Sequence, residues 1–310
     1  MTRAYAVFGG VLHSDLVIEE LPDAPLDAAA TWRLFLAEDG EMPTGEALGS
    51  DIVYGDCRVR GFRSADTWSL VFDDTGRFDV SHDGRSITWF RPREASIHSA
   101  VADITSRVLA LALHASGVFS LHASAVALPG GAVAFLAPKH HGKSTLCGAL
   151  VLSGALAMSD DTVPVRIGDV PVLLPGIPKL RLWSDSAGRM FGLGAEGEAP
   201  RKHLIEELSA AQIQTSPVPF RAAYVLNPVA SLPGGAVVAR EPIDLVSATM
   251  SVVMHAKLGP ILSGAESRDL LTRAGEIAAA VPVYSLQVVR DLSRVDEVAR
   301  TLSSWHRSPP

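Results

Sequence analysis

The segment AFLAPKHHGKSTL, residues 134–146, constrains this chain more than any other. Its close, Gly142-Lys143-Ser144-Thr145, is what a phosphate-binding loop requires. Such a loop works through backbone N–H groups that converge in a tight turn, reinforced by a helix N-terminus. An apolar strand must therefore lead in and a helix must lead out. Both are written here: AVAFLAP reads as a buried strand, and KSTLCGALVLS as a helix ended by Gly154. Lys143 is placed to neutralise β and γ phosphates and Ser144 to hold a magnesium ion, with Thr145 extending the hydroxyl pair. Ala137, Pro138, Lys139, His140, His141 and Gly142 supply the rest of the nucleotide-binding turn.

Two letters depart from the usual motif. Ala137 stands where a glycine commonly opens the loop, and it is the smallest such departure. His140 would carry a side chain through positive φ, which costs about 1–2 kcal/mol. Histidine tolerates that region better than most residues, and an imidazole beside a triphosphate gains a proton more readily.

Phosphoryl transfer also needs a carboxylate in the magnesium shell and often a second to accept the acceptor's hydroxyl proton. Asp160-Asp161 closes the apolar run ALAMSDD that follows the loop helix. Adjacent residues on a strand point to opposite faces, so both can serve one site only if the strand ends there and the chain turns. His122 lies in FSLHASAVAL, a strand otherwise small and apolar, where a satisfied core histidine is the commoner case. His114 and His255, both in helical stretches, carry less weight. Lys179 and Arg181 in LLPGIPKLRLW, and Lys202 in PRKHLIEE, are candidate substrate or phosphate contacts. The first segment reads equally as a proline-stiffened anion loop or as a strand with a solvated edge.

The remaining composition removes several classes. A net charge of −7 gives no support to a nucleic-acid partner. Two cysteines, Cys57 and Cys147, are too few for a disulfide framework and fit reduced thiols in a cytoplasmic protein. AYAVFGGVL runs into HSDLVIEEL without a cleavage pattern, so it reads as a strand rather than a targeting signal. The apolar run 109–137 is broken by His114, His122 and Pro129-Gly130-Gly131, which argues against a membrane span.

Two parts follow from periodicity. Residues 1–93 read as a β-rich N-terminal domain suited to substrate recognition, with WSLVFDD and RFDVSHDGRSITWF forming a meander turned at Asp83-Gly84. From Glu94 the period becomes helical, with Ile97, Val101, Ile104, Val108 and Ala112 on one face and Gly117 as the stop. Residues 94–310 then alternate strands and helices, an α/β domain with a mixed sheet, because the Pro-Gly-Gly hairpin sets antiparallel strands beside the loop. FRAAYVLNP and PVYSLQVV read as strands. EPIDLVSATMSVVMHAKLG, ESRDLLTRAGEIAAAV and SRVDEVARTLSSW read as helices.

The order LHASAVAL, hairpin, FLAPKHHGKSTL, helix, AMSDDTVPV resembles the catalytic domain of HPr kinase/phosphorylase, in which a histidine-bearing strand precedes the phosphate loop and paired aspartates follow it. The nearer resemblance is to the HPr-kinase-like proteins found beside lasso-peptide and related peptide-modification genes. It extends to the LPGIPKLRLW and PVYSLQVVRDLSRVDEVARTL segments and covers 94–310 well and 1–93 loosely. The resemblance implies an ATP- and magnesium-dependent kinase acting on a hydroxyl, with a serine of a protein or precursor peptide as acceptor. One of Asp160 and Asp161 would be the base and the other a metal ligand beside Ser144, the preferred assignment being Asp160 as base and Asp161 on the metal, with His122 a further catalytic group. The family's hexamers make a homo-oligomer an option. A small-molecule kinase and a nucleotide-sensing module without turnover remain the rival readings. The glycine-rich segment that follows the aspartates in HPr kinases has no clear copy here, so HPr itself is not the implied substrate.

Overall fold

The computed structural model describes residues 2–38, 40–177, 179–193, 202–205 and 208–307, the side chains of Lys202 and Leu204 excepted. The chain divides into two compact units. One comprises the residues up to Ser120 together with Ala256–Arg273, and the other Leu121–His255 with the residues from Ala274 onward. Both mix strands and helices.

In the first unit eight strands form one sheet. Its order is Arg3–Val7, Gly10–Ser14, Trp32–Glu38, Ser86–Arg91, Gly76–Ser81, Thr67–Phe72, Cys57–Arg63, Glu46–Tyr54. The N-terminal segment expected as one strand is a hairpin, because Phe8 and Gly9 turn with φ of 50° and 75°. Two successive positive φ values match the right-handed twist of the flanking strands. The expected turn at Asp83-Gly84 is present, and Gly84 has two reasons to be glycine. Its φ is 73°, and a Cβ there would lie 2.2 Å from the carbonyl oxygen of Ala112.

That close approach explains why this unit runs past residue 93. The helical stretch after Pro92 lies against the meander, burying Val101, Ile104, Val108 and Ala112, while Ile97 stays exposed. It consists of α-helix Ile97–Asp103, a π-helical turn Ile104–Val108 and α-helix Leu109–Ala115. At the change of pitch the Thr105 hydroxyl donates to the carbonyl of Val101 at 2.8 Å, and such back-bonding bends helices. Gly117, with φ of 81°, ends the stretch.

The second unit is built on a mixed sheet. Three strands run parallel, Gly131–Leu136, Val218–Val229 and Val283–Val289. Antiparallel neighbours flank them: Ala123–Leu128 and then Leu156–Asp160 on one side, Val238–Pro242 on the other. Ala123–Leu128 and Gly131–Leu136 form the hairpin expected around Pro129-Gly130. Val163–Arg166 and Val172–Leu173 pair with each other, and the latter also pairs with Val218–Pro219. Leu180–Trp183 and Lys202–Ile205 make a separate ribbon. The helix Lys143–Leu152 packs on the sheet through Leu146, Cys147 and Leu150, in a core shared with Phe135, Tyr224, Leu182, Val298 and Leu302. The helix expected from Glu241 begins only at Leu245. Residues up to Pro242 pair as a strand, and the Asp244 carboxylate caps the helix by accepting from the amides of Val246 and Ser247. Among the described residues, no helix is long and apolar enough to cross a membrane.

Candidate active site

The phosphate-loop segment adopts the strand–turn–helix form that its letters require. Gly131–Leu136 ends at Ala137, which is fully buried, so the methyl group in place of the usual glycine fills core space beside Phe135 and Leu146. His140 has φ of 69° and Gly142 of 89°, so the turn does ask a histidine to stand in the left-handed region. The His140 ring stacks on Trp183, with centroids 5.1 Å apart and planes at 30°. Such a contact contributes about 0.5–1.5 kcal/mol, comparable with the backbone strain it opposes. The His141 ring donates through Nδ1 to the carbonyl of Lys139 at 3.0 Å, bracing the exposed part of the loop. Lys143 is buried, and its Nζ donates to the carbonyls of Ala137 at 2.6 Å and Pro138 at 3.3 Å. The ammonium is thus held across the mouth of its own loop.

The paired aspartates separate into two environments. Asp160 closes the strand Leu156–Asp160, opposite Ser124 in register. Its Oδ1 accepts from the Ser124 hydroxyl at 2.5 Å and the Ser144 hydroxyl at 2.9 Å, and its Oδ2 from the Arg181 amide at 3.1 Å. Asp161 then has φ of 87°, a costly value for a residue with a side chain. The turn breaks the two-residue alternation, and the Asp161 carboxylate lies 3.1 Å from His122 Nδ1. His122 itself falls at a break between Phe119–Leu121 and Ala123–Leu128. Its N–H donates to the carbonyl of His255 at 2.7 Å instead of joining a ladder. His255, the C-cap of helix Leu245–Met254, donates through Nδ1 to Ser251 at 2.8 Å. Burial, then the nearby Lys143 and His122, hold its imidazole below its ordinary pKa, against the opposing effect of the Ser251 carbonyl.

Sequence reading passed over Ser124 and Trp183 and gave His255 little weight. Ser124 follows His122 by two residues and could have been marked as its same-face neighbour. Nothing local marks the other two. Arg181 approaches the site through its backbone, while its side chain is exposed on a ribbon strand whose Leu180 and Leu182 are buried. Lys179 is half-buried one residue before that strand. Lys202 starts the partner strand, and its side chain lies outside the described residues. Cys147 is fully buried, and burial holds its thiol well above the usual range, which suits packing and not attack.

Among the described residues, no group of three or more His, Cys, Asp and Glu side chains could hold a metal by itself. Magnesium commonly takes one or two protein oxygens and completes its shell with water and phosphate. The Ser144 and Asp160 oxygens fit that mode. Octahedral bonds of 2.0–2.1 Å place adjacent ligand atoms roughly 2.9 Å apart, the separation these two already have.

Beside the loop opens a cavity of about 910 Å³. His140, Gly142 and Thr145 line it on the loop side, and Leu226, Val288 and Val298 on the opposite side. It lies past the carboxyl ends of the parallel strands, where open α/β sheets take their ligands.

No family model and no curated protein sequence matches the chain. Among solved structures it is similar to the Hpr(Ser) kinase/phosphatase from Coxiella burnetii, with 13% identity over 61% of this chain and 95% of that one, at a TM-score of 0.32. A likeness of that degree says nothing of activity or substrate.

Proposed function

We propose that this chain is an ATP-dependent kinase that phosphorylates a hydroxyl, and that the acceptor is a serine of a protein or precursor peptide in the cytoplasm. The observation that carries the reading is the meeting of Ser144 with Asp160 at 2.9 Å while the next residue, Asp161, pairs with His122 at 3.1 Å. The Gly142-Lys143-Ser144 turn, two carboxyls and an imidazole thus meet around one strand end, which supports such a reading.

The geometry favours roles opposite to those the family resemblance implies for the two aspartates. Asp160 is engaged by two hydroxyls and an amide beside the loop, so it and Ser144 would hold the metal. Bound there, magnesium would neutralise charge on the β and γ phosphate oxygens. Asp161 would take the serine proton as the seryl oxygen bonds to the γ phosphorus and the bridge to the β phosphate breaks, leaving ADP. His122, donating to Asp161, would fix the carboxylate's orientation and share the proton. Lys143 would exchange the Ala137 and Pro138 carbonyls for phosphate oxygens. A polypeptide acceptor is supported by helix Leu245–Met254, which exposes Val246, Met250 and Met254 at four-residue spacing and ends at the residue that anchors His122.

The test is mass spectrometry of a seryl-peptide library incubated with Mg-ATP and wild-type protein, Lys143→Ala or Asp161→Asn. Phosphopeptides from the wild type alone support the reading. Wild-type protein that binds Mg-ATP tightly yet modifies no hydroxyl would leave a nucleotide-sensing module in its place.

A further inference from the structure

The cavity beside the loop is mostly apolar, and phosphate chemistry makes no use of such a lining. Its polar side chains are largely engaged with one another or with their own backbone. The Asp185 carboxylate accepts the Ser186 amide at 2.7 Å. The Asp291 carboxylate accepts the amide and hydroxyl of Ser293 at 2.9 Å and 2.7 Å. The Thr145 and Ser186 hydroxyls pair at 3.1 Å. Arg290 stands exposed at the edge. What the cavity offers a ligand is an apolar wall and the Trp183–His140 stack.

An apolar slot with an aromatic platform, continuous with a phosphate loop, suits a flat heteroaromatic ring joined to phosphates. Stacking of a base on an aromatic ring is worth about 1–3 kcal/mol, does not tell one purine from another, and grows with the ring area covered, so a two-ring base gains more than a one-ring base. Telling adenine from guanine needs fixed donors or acceptors aimed at the base edge, whose loss leaves buried groups unpaired. Carboxylates tied to neighbouring amides and hydroxyls are poorly placed for that task.

On the kinase reading above, we infer that this cavity seats the base of the nucleoside triphosphate, with Trp183 as its stacking platform. We further infer that it selects by ring size, taking purines over pyrimidines without separating adenine from guanine.

The experiment is calorimetric titration of ATP, GTP, CTP and inorganic tripolyphosphate, each with magnesium, into the full chain and its Trp183→Ala, Trp183→Phe and Lys143→Ala variants. ATP and GTP should bind within about five-fold of each other, and each at least about ten-fold tighter than CTP or tripolyphosphate, as the loss of 1.4 kcal/mol of stacking implies. Trp183→Ala should weaken both purine nucleotides about ten-fold more than it weakens tripolyphosphate, while Trp183→Phe should recover most of that difference. ATP binding no tighter than tripolyphosphate, where the latter depends on Lys143, would sink the base seat and spare the phosphate loop. A clear preference for ATP over GTP, or the reverse, would overturn selection by ring size. Equal weakening of all four ligands in Trp183→Phe would reduce Trp183 to a support for His140. Failure of the wild type to bind any of them would overturn both readings.

Discussion

Asp103 in the first unit and Asp160 in the second are both drawn away from water, yet they are opposite kinds of group. Asp103 is 2% exposed, and its carboxyl accepts from the Thr75 hydroxyl at 2.7 Å. Burial pushes its carboxyl up to about 7; the Thr75 bond and Arg107 oppose this, and the Asp74 charge adds to it. Asp160 is surrounded by three donors, two hydroxyls and an amide. Withdrawal from water alone makes an acid that holds its proton and serves packing. Withdrawal combined with three donors holds the carboxyl oxygens in fixed positions, where a cation could meet them. A perturbed carboxyl is therefore a poor guide to function until its donors are counted.

The contrast can be broken at four places. The largest effect is expected from Asp161→Asn, which keeps shape and removes the proposed base. Phosphate transfer should fall about 10³-fold, within the range for a lost general base, with nucleotide affinity unchanged by calorimetry. Equal loss of affinity would mean that Asp161 belongs to the binding site. Asp160→Asn should instead raise the magnesium concentration for half-maximal nucleotide binding by about 30-fold, in line with a lost charged ligand worth about 2 kcal/mol. An unchanged magnesium requirement would place the metal elsewhere.

Asp103→Asn tests the other side of the comparison. Asp103 binds its proton more tightly in the folded chain than in the unfolded one. Its effect is therefore to lower stability as pH rises from about 4 to about 7, with no further change above. Urea unfolding should show the variant gaining on wild type across that window, by on the order of 4 kcal/mol at pH 8, and matching it near pH 4. A constant difference at all pH values would remove Asp103 as the cause. The smallest change is Ala137→Gly, which deletes one buried methyl and adds backbone freedom. It should cost about 1 kcal/mol of stability and leave tripolyphosphate affinity as it was.

Much of this arrangement was legible in the letters where the physics is local. The loop, its helix, the Asp83-Gly84 turn and the helical period from Ile97 to Ala112 depend on neighbours within a few residues. The misreadings share another cause. Phe8 turns because two strands pair across it, and the Gly9-Gly10 pair is a turn signal that the reading of one continuous strand overlooks. Helix Leu245–Met254 starts late because residues up to Pro242 are taken by a strand more than forty positions away. Ser124 meets Asp160 only through register, and Trp183 meets His140 only through a ribbon. For the aspartates, the sequence could state the condition that the chain must turn, but φ at Asp161 answers it.

The strand Leu180–Trp183 carries one further consequence. It meets the site twice, through the Arg181 amide on Asp160 and the Trp183 ring on His140, while Leu180 and Leu182 hold it to the core. Two residues of strand span about 6.6 Å, and one added residue sends every later side chain to the opposite face. An insertion there would turn tryptophan inward and present leucine to the loop. Over evolutionary drift this segment can exchange its letters far more freely than it can change their number, and a single gained or lost codon would part the Trp183 ring from His140 at one stroke.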